Sequence, residues 1–208
     1  MLHYFYLMNR DWMENTLRPA LGESWRRRSF APCVPVCRKL LEAKPVADAS
    51  VASAVAEGLR FDRAFWQVLV GECLILGAEG MPRLELTFEM LSRLLAPDRT
   101  GADVAERACF SPIEQVYFGT RDLRCGGGWH RPESVGWNDA EDVARLSSYL
   151  QSVDPGAWSA AMLQRLPNLT DDAEPDEELA DARSWWPALV EMYAGAQAAG
   201  QVIVCERV

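Results

Sequence analysis

The hydrophobic pattern of the chain begins and ends as strand and is helical between. Residues 2–8 form a run rich in Tyr, Phe and Leu, which reads as a buried strand. Residues 201–208 alternate around Val202, Val204 and Glu206 and read as a second strand. Asn9 is placed to cap a helix carrying Trp12, Met13 and Leu17, which Pro19 is expected to disturb. Trp25-Arg26-Arg27-Arg28 then falls in a loop. Pro35 opens a short helix through Leu41, and the Ala-rich stretch 47–59 makes another, with Gly58 as its stop. Asp62 caps the strongest helix, whose broad apolar face is Phe65, Trp66, Leu69, Val70, Cys73, Leu74 and Leu76.

The second half repeats these devices. A helix is expected over about 84–95, before Pro97. Ser111-Pro112-Ile113-Glu114 is a capping box with proline at the first helical position, and starts a helix to about Thr120. Three glycines and a proline exclude regular structure over 124–132. Asn138-Asp139-Ala140-Glu141 reads as a cap with an acidic first turn, setting Val143, Leu146 and Leu150 on one face. Asp154-Pro155 opens a further helical stretch toward Trp158, Met162 and Leu166. An acidic loop leads into the last helical region, which Pro187 should kink or split and Gly200 should end. The expected fold is α+β and mostly α-helical, with helices packed on a small sheet that contains the N- and C-terminal strands. No repeat, linker or composition break marks a second domain, so residues 1–208 are expected to form one.

Composition narrows the class. A chain that is 49% hydrophobic with eight Trp can bury a core without disulfides or a metal. No apolar stretch is long enough to cross a bilayer, and residues 1–6 lack the marks of a signal peptide. A soluble, cytoplasmic protein with no membrane partner is therefore expected. The six Cys are expected to be reduced and mostly buried, given the apolar neighbours of Cys73, Cys109 and Cys205. The whole net charge of −9 falls in residues 105–208, which carry 8 basic and 17 acidic side chains. Such a domain is repelled by phosphate backbones, which argues against nucleic acid and favours a basic protein as partner.

From residue 55 onward the order of features is distinctive. Phe61-Asp62-Arg63-Ala64-Phe65-Trp66 opens a long helix, and a Gly-rich aromatic loop follows at 126–137. Then come a capped helix at 138–152, Asp154 and Trp158, an acidic stretch, a Trp-rich helix and the closing Gly200-Gln201-Val202-Ile203-Val204. This resembles the YfbM-like group of small bacterial proteins of unknown function, over residues 55–208 and the opening strand. Residues 10–54, with the arginine run and a Cys pair, depart from that pattern and read as a family-atypical insertion. The resemblance implies an α+β fold and an association with immunity or accessory interaction modules. It carries over no catalytic residue.

Several constellations bear chemistry, each with a plainer structural alternative. Cys125, three glycines and His130 offer a thiol, a base and backbone N–H donors for an oxyanion, with Trp129 lining a pocket; a tight turn whose Trp packs on the core is the simpler reading. Cys33 and Cys37 have a spacing zinc tolerates, and Cys125 with His130 would complete the set. Two ordinary buried thiols are the simpler reading, so no metal and no cofactor are expected. With only one other His in the chain, His3 is read as a structural or edge residue of the first strand. Arg26, Arg27 and Arg28 beside Trp25 suit recognition of an anion. Asp171, Asp172, Glu174, Asp176, Glu177 and Glu178 would steer a basic partner or stabilise a helix start. Two function classes stand: a non-enzymatic protein-binding module of immunity or accessory type, and a small enzyme built on Cys125 and His130.

Overall fold

The computed structural model describes residues 2–44, 49–85, 87–97, 109–123, 134–163 and 174–208. Strand β1 (His3–Met8) pairs antiparallel along its whole length with β5 (Val202–Arg207). The two ends of the chain thus form the centre of the sheet, as their apolar sequences require. Three further strands extend it: β2 (Arg83–Glu85) beside β1, β4 (Ser134–Asn138) beside β5, and β3 (Arg121–Asp122) beside β4. The order is β2-β1-β5-β4-β3, antiparallel throughout.

Helices cover both faces of this sheet. On one face, Tyr6, Met8, Val202, Val204 and Trp137 pack against side chains from residues 13–78; on the other, Phe5, Ile203 and Cys205 pack against residues 88–196. Burial on both sides explains why β1 reads as a continuous apolar run and not as an alternation. The first cover is built from α1 (Arg10–Trp12), α2 (Arg18–Arg27), α3 (Val34–Ala43), α4 (Ser50–Ala56) and α5 (Arg63–Gly77). The second is α6 (Phe88–Leu95), α7 (Pro112–Phe118), α8 (Ala140–Ser152), α9 (Ala160–Leu163) and α10 (Pro175–Ala199). Residues 10–54 thus share one core with β1 and α5. Among the described residues no helix is long and apolar enough to cross a membrane.

Caps explain most of the boundaries. Asn9 accepts from the Trp12 N–H at 3.0 Å, and Asp62 accepts from the Ala64 N–H at 2.7 Å. The Ser111–Glu114 box is complete: Glu114 accepts from the Ser111 N–H at 2.6 Å, and Ser111 accepts from the Glu114 N–H. Val143, Leu146 and Leu150 are fully buried, as their spacing predicts.

The departures from expectation have local causes. Pro19 does not end its helix, because α1 and α2 are joined by a π-helical turn, Met13–Leu17, in which the Arg18 N–H donates to the Met13 carbonyl. Pro19 thereby sits in the first turn of α2, where its missing N–H is tolerated. The arginine run is consequently the last turn of α2 and not a loop. The expected helix 84–95 divides into β2 and α6, and part of the glycine-rich region proves to be β4. The helix from Pro112 stops at Phe118, short of Thr120, because Gly119 adopts φ 72°. A side chain there would sit 2.7 Å from the Gly136 carbonyl carbon, so only glycine lets α7 end against β4. Asp139, not Asn138, caps α8. Asn138 is buried in β4, accepts from the Thr120 N–H at 2.9 Å and donates to the Gln115 carbonyl at 3.0 Å and to Tyr193 Oη at 3.1 Å. Pro187 is exposed and α10 continues through it, so the helix is not split. Cys109 is exposed, although its apolar neighbours suggested burial. His3 is buried on β1, an interior strand, so it is structural and not an edge residue.

Candidate binding site

The arginine run is split by the helix it terminates. Arg26 and Arg27 both pair with Glu23, one turn back on α2. Arg28 follows as the C-cap residue in the left-handed conformation, φ 51° and ψ 46°. Among the described residues it is the one non-glycine residue with positive φ. Its N–H still closes the helix by donating toward the Ser24 and Trp25 carbonyls. Its guanidinium carbon lies 3.8 Å from the centroid of the Trp25 ring.

A second segment meets it there. Gly58, at φ 100°, ends α4 and turns the chain so that Arg60 and Phe61 approach from the other side before Asp62 caps α5. Phe61 lies 5.0 Å from Phe30 and 6.0 Å from Trp66, with Trp25 5.7 Å from Trp66. Arg63 approaches Trp25 at 5.7 Å, and Arg28 reaches Phe61 at 5.9 Å. Between the two segments is a cleft of about 510 Å³, lined by Arg28, Phe30, Val34, Leu59, Arg60 and Phe61, among others. Its apolar lining, Phe30, Val34, Leu59 and Phe61, is buried or half-buried, and Arg28 and Arg60 are exposed. No carboxylate of a described residue pairs with Arg28, Arg60 or Arg63. The helix α5 that follows exposes three large apolar side chains, Phe65, Val68 and Ile75, at 43%, 47% and 52%.

Of the anion-binding residues expected from sequence, Arg28 enters this cleft while Arg26 and Arg27 are engaged by Glu23. Arg60, Arg63, Phe30 and Phe61 escaped sequence reading. The signal that could have found them is the Arg60-Phe61-Asp62-Arg63 spacing directly after a helix-stopping glycine.

The acidic segment divides as well. Glu174, Asp176 and Glu177 are exposed at the start of α10. Glu178 is buried and holds Arg93 at 3.0 Å, and Arg93 also donates to the Leu163 carbonyl at 3.3 Å. This ion pair ties α6 to α10, and its burial keeps Glu178 from facing a partner as the sequence suggested. Asp171 and Asp172 lie outside the described residues, as do Cys125, Trp129 and His130.

The remaining chemistry-bearing groups are interior. Cys33, Cys37 and Cys73 are buried, and no disulfide links them. Burial pushes the Cys33 thiol up to about 11, although Ser24 Oγ lies 3.1 Å from its sulfur. The Cys73 thiol is also raised, first by the hydrogen bond it shares with Cys37 and then by burial. Among the described residues no group of three or more His, Cys, Asp or Glu side chains could hold a metal ion. His3 sits against Phe88, Tyr117 and Phe118 at ring separations of 5.2 to 5.3 Å, and burial lowers its pKa to about 3.

No family model and no curated protein matches the chain. Among solved structures it is similar to YfbM from Escherichia coli, a protein of unknown function, with 11% sequence identity and a TM-score of 0.54. The match covers 100% of both chains. At that identity the likeness shows the fold alone: this chain has a YfbM-like fold.

Proposed function

We propose that the protein is a non-enzymatic binding module that holds an anionic group of its partner in the cleft between the end of α2 and the start of α5. One observation carries this reading: Arg28 is kept in a left-handed conformation unfavourable to a side chain, over the Trp25 ring at the cleft, with no described carboxylate to neutralise it. Backbone strain of this kind persists where the surroundings over-determine it and clusters at ligand clamps. The exposed apolar side chains Phe65, Val68 and Ile75 of α5 support a protein partner, because such side chains are suited to burial against another chain. An immunity or accessory role is compatible with this class.

A second reading has its own support. Glu174, Asp176 and Glu177 are exposed and would attract a basic partner, as the charge asymmetry of the sequence suggests. The enzyme reading, with Cys125 as nucleophile and His130 as base, rests on sequence alone. It requires Cys125 to react with iodoacetamide faster than an ordinary exposed thiol.

Native mass spectrometry of the protein purified gently from its host tests these readings together. The cleft reading expects a partner that is lost with Arg28→Gly and Arg60→Gln combined. It expects that partner to survive reversal of Glu174, Asp176 and Glu177 to Lys. The opposite pattern overturns it in favour of the acidic surface.

A further inference from the structure

We infer that the group held in the cleft is a carboxylate carried next to an aromatic ring or a large apolar side chain. This inference rests on the cleft reading above and names its ligand class. The two halves of the cleft differ in chemistry. Of the lining residues Phe30 is buried and Val34, Leu59 and Phe61 are half-buried, whereas Arg28 and Arg60 are exposed and Ser29 adds a hydroxyl. A ligand that fills such a site joins an apolar body to one anionic end, and about 510 Å³ accommodates a group of small-molecule size.

The form of the cations decides which anion. The Arg28 guanidinium carbon lies over the Trp25 ring, 3.8 Å from its centroid, and that contact restrains the group. A planar fork presenting two parallel N–H groups matches the two oxygens of a carboxylate. The lining contains no lysine.

The test is a titration of the protein labelled with ¹⁵N at its tryptophans, following the Trp25 indole signal, which Trp25→Phe identifies by its disappearance. N-acetyl-L-phenylalanine is expected to shift this signal saturably. Its primary amide and acetate are each expected to bind at least about tenfold more weakly, since one lacks the charge and the other the ring. Arg28→Gly, which places glycine where the backbone favours it, is expected to abolish the shift while leaving the fold intact. Equal binding of acid and amide, tighter binding of phenyl phosphate than of the acid, or no shift with any probe to about 20 mM overturns the inference. Two further probes distinguish the sources of the group: N-acetyl-Phe-Glu-amide stands for a partner's side chain and phenylacetate for a free acid. If no probe binds but the Arg28 and Arg60 substitutions still strip the partner, the ligand class falls and the cleft reading stands.

Discussion

Arg28 lies 3.8 Å above the ring of Trp25, three residues before it, and takes a positive φ at the end of that helix. The helix would end more easily on glycine, which enters the left-handed region without steric cost. A cation–π contact with Trp25 offsets part of the penalty, at about 0.5 to 1 kcal/mol.

Two substitutions separate these effects. Arg28→Ala keeps the unfavourable backbone and loses the contact, so it should lower stability by about 1 kcal/mol. Arg28→Gly loses the same contact but relieves the backbone, and should leave stability within about 0.5 kcal/mol of the parent. Urea denaturation midpoints of the three proteins check the order.

Neighbouring carboxylates in the first turn of α10 should behave very differently. Glu178→Ala leaves Arg93 buried without its counter-charge and should cost about 3 kcal/mol or more. Glu177→Ala removes an exposed carboxylate whose contribution is its attraction to the helix N-terminus, at most about 1 kcal/mol. The pair measured side by side by thermal unfolding tests whether Glu178 is structural, as assigned.

Gly119→Ala should be among the most damaging single changes. Its φ of 72° is unfavourable to alanine, and the added carbon would meet the backbone of Gly136 and Trp137, which a side-chain rotation cannot relieve. A loss of about 3 kcal/mol, read from denaturant unfolding, is expected. A change within experimental error would refute the close approach of α7 to β4.

Stability should depend on the protonation of His3. Its folded pKa is about 3 against an unfolded value near 6.5, so below pH 6.5 the unfolded chain takes up a proton that the folded one refuses. The contribution is present above pH 6.5 and is lost progressively down to pH 3, at up to about 1.4 kcal/mol per unit. Glu85, on the neighbouring strand, is shifted upward by burial and acts with the opposite sign, favouring the folded state as pH falls. The difference between the parent and His3→Phe isolates the histidine, and it should diverge across that window.

Much of the fold was legible because its signals are local. Asn9, Asp62 and the Ser111–Glu114 box announce helix starts by side-chain chemistry that acts within a turn. The two ends announce strands by composition. What sequence left hidden depends on contacts between distant segments. β2 has three residues and takes its pairing from β1, while β4 takes its own from β5. Asn138 reads as a cap and is instead a buried bridge among β4, α7 and α10. Of the cleft, the Trp25–Arg28 half stood out in the sequence as a run of arginines beside an aromatic ring, but Arg60 and Phe61 join it only through the turn at Gly58. The acidic run looked uniform because sequence cannot tell which carboxylate of a helical turn faces inward.

Hydrogen exchange of the protein with and without the partner recovered from its host shows where that partner binds. Slowed exchange of backbone amides at 28–31 and 58–61 in the complex is expected, with the start of α10 unchanged. Protection confined to 174–185, with the cleft exchanging as in the unbound protein, would contradict the cleft reading.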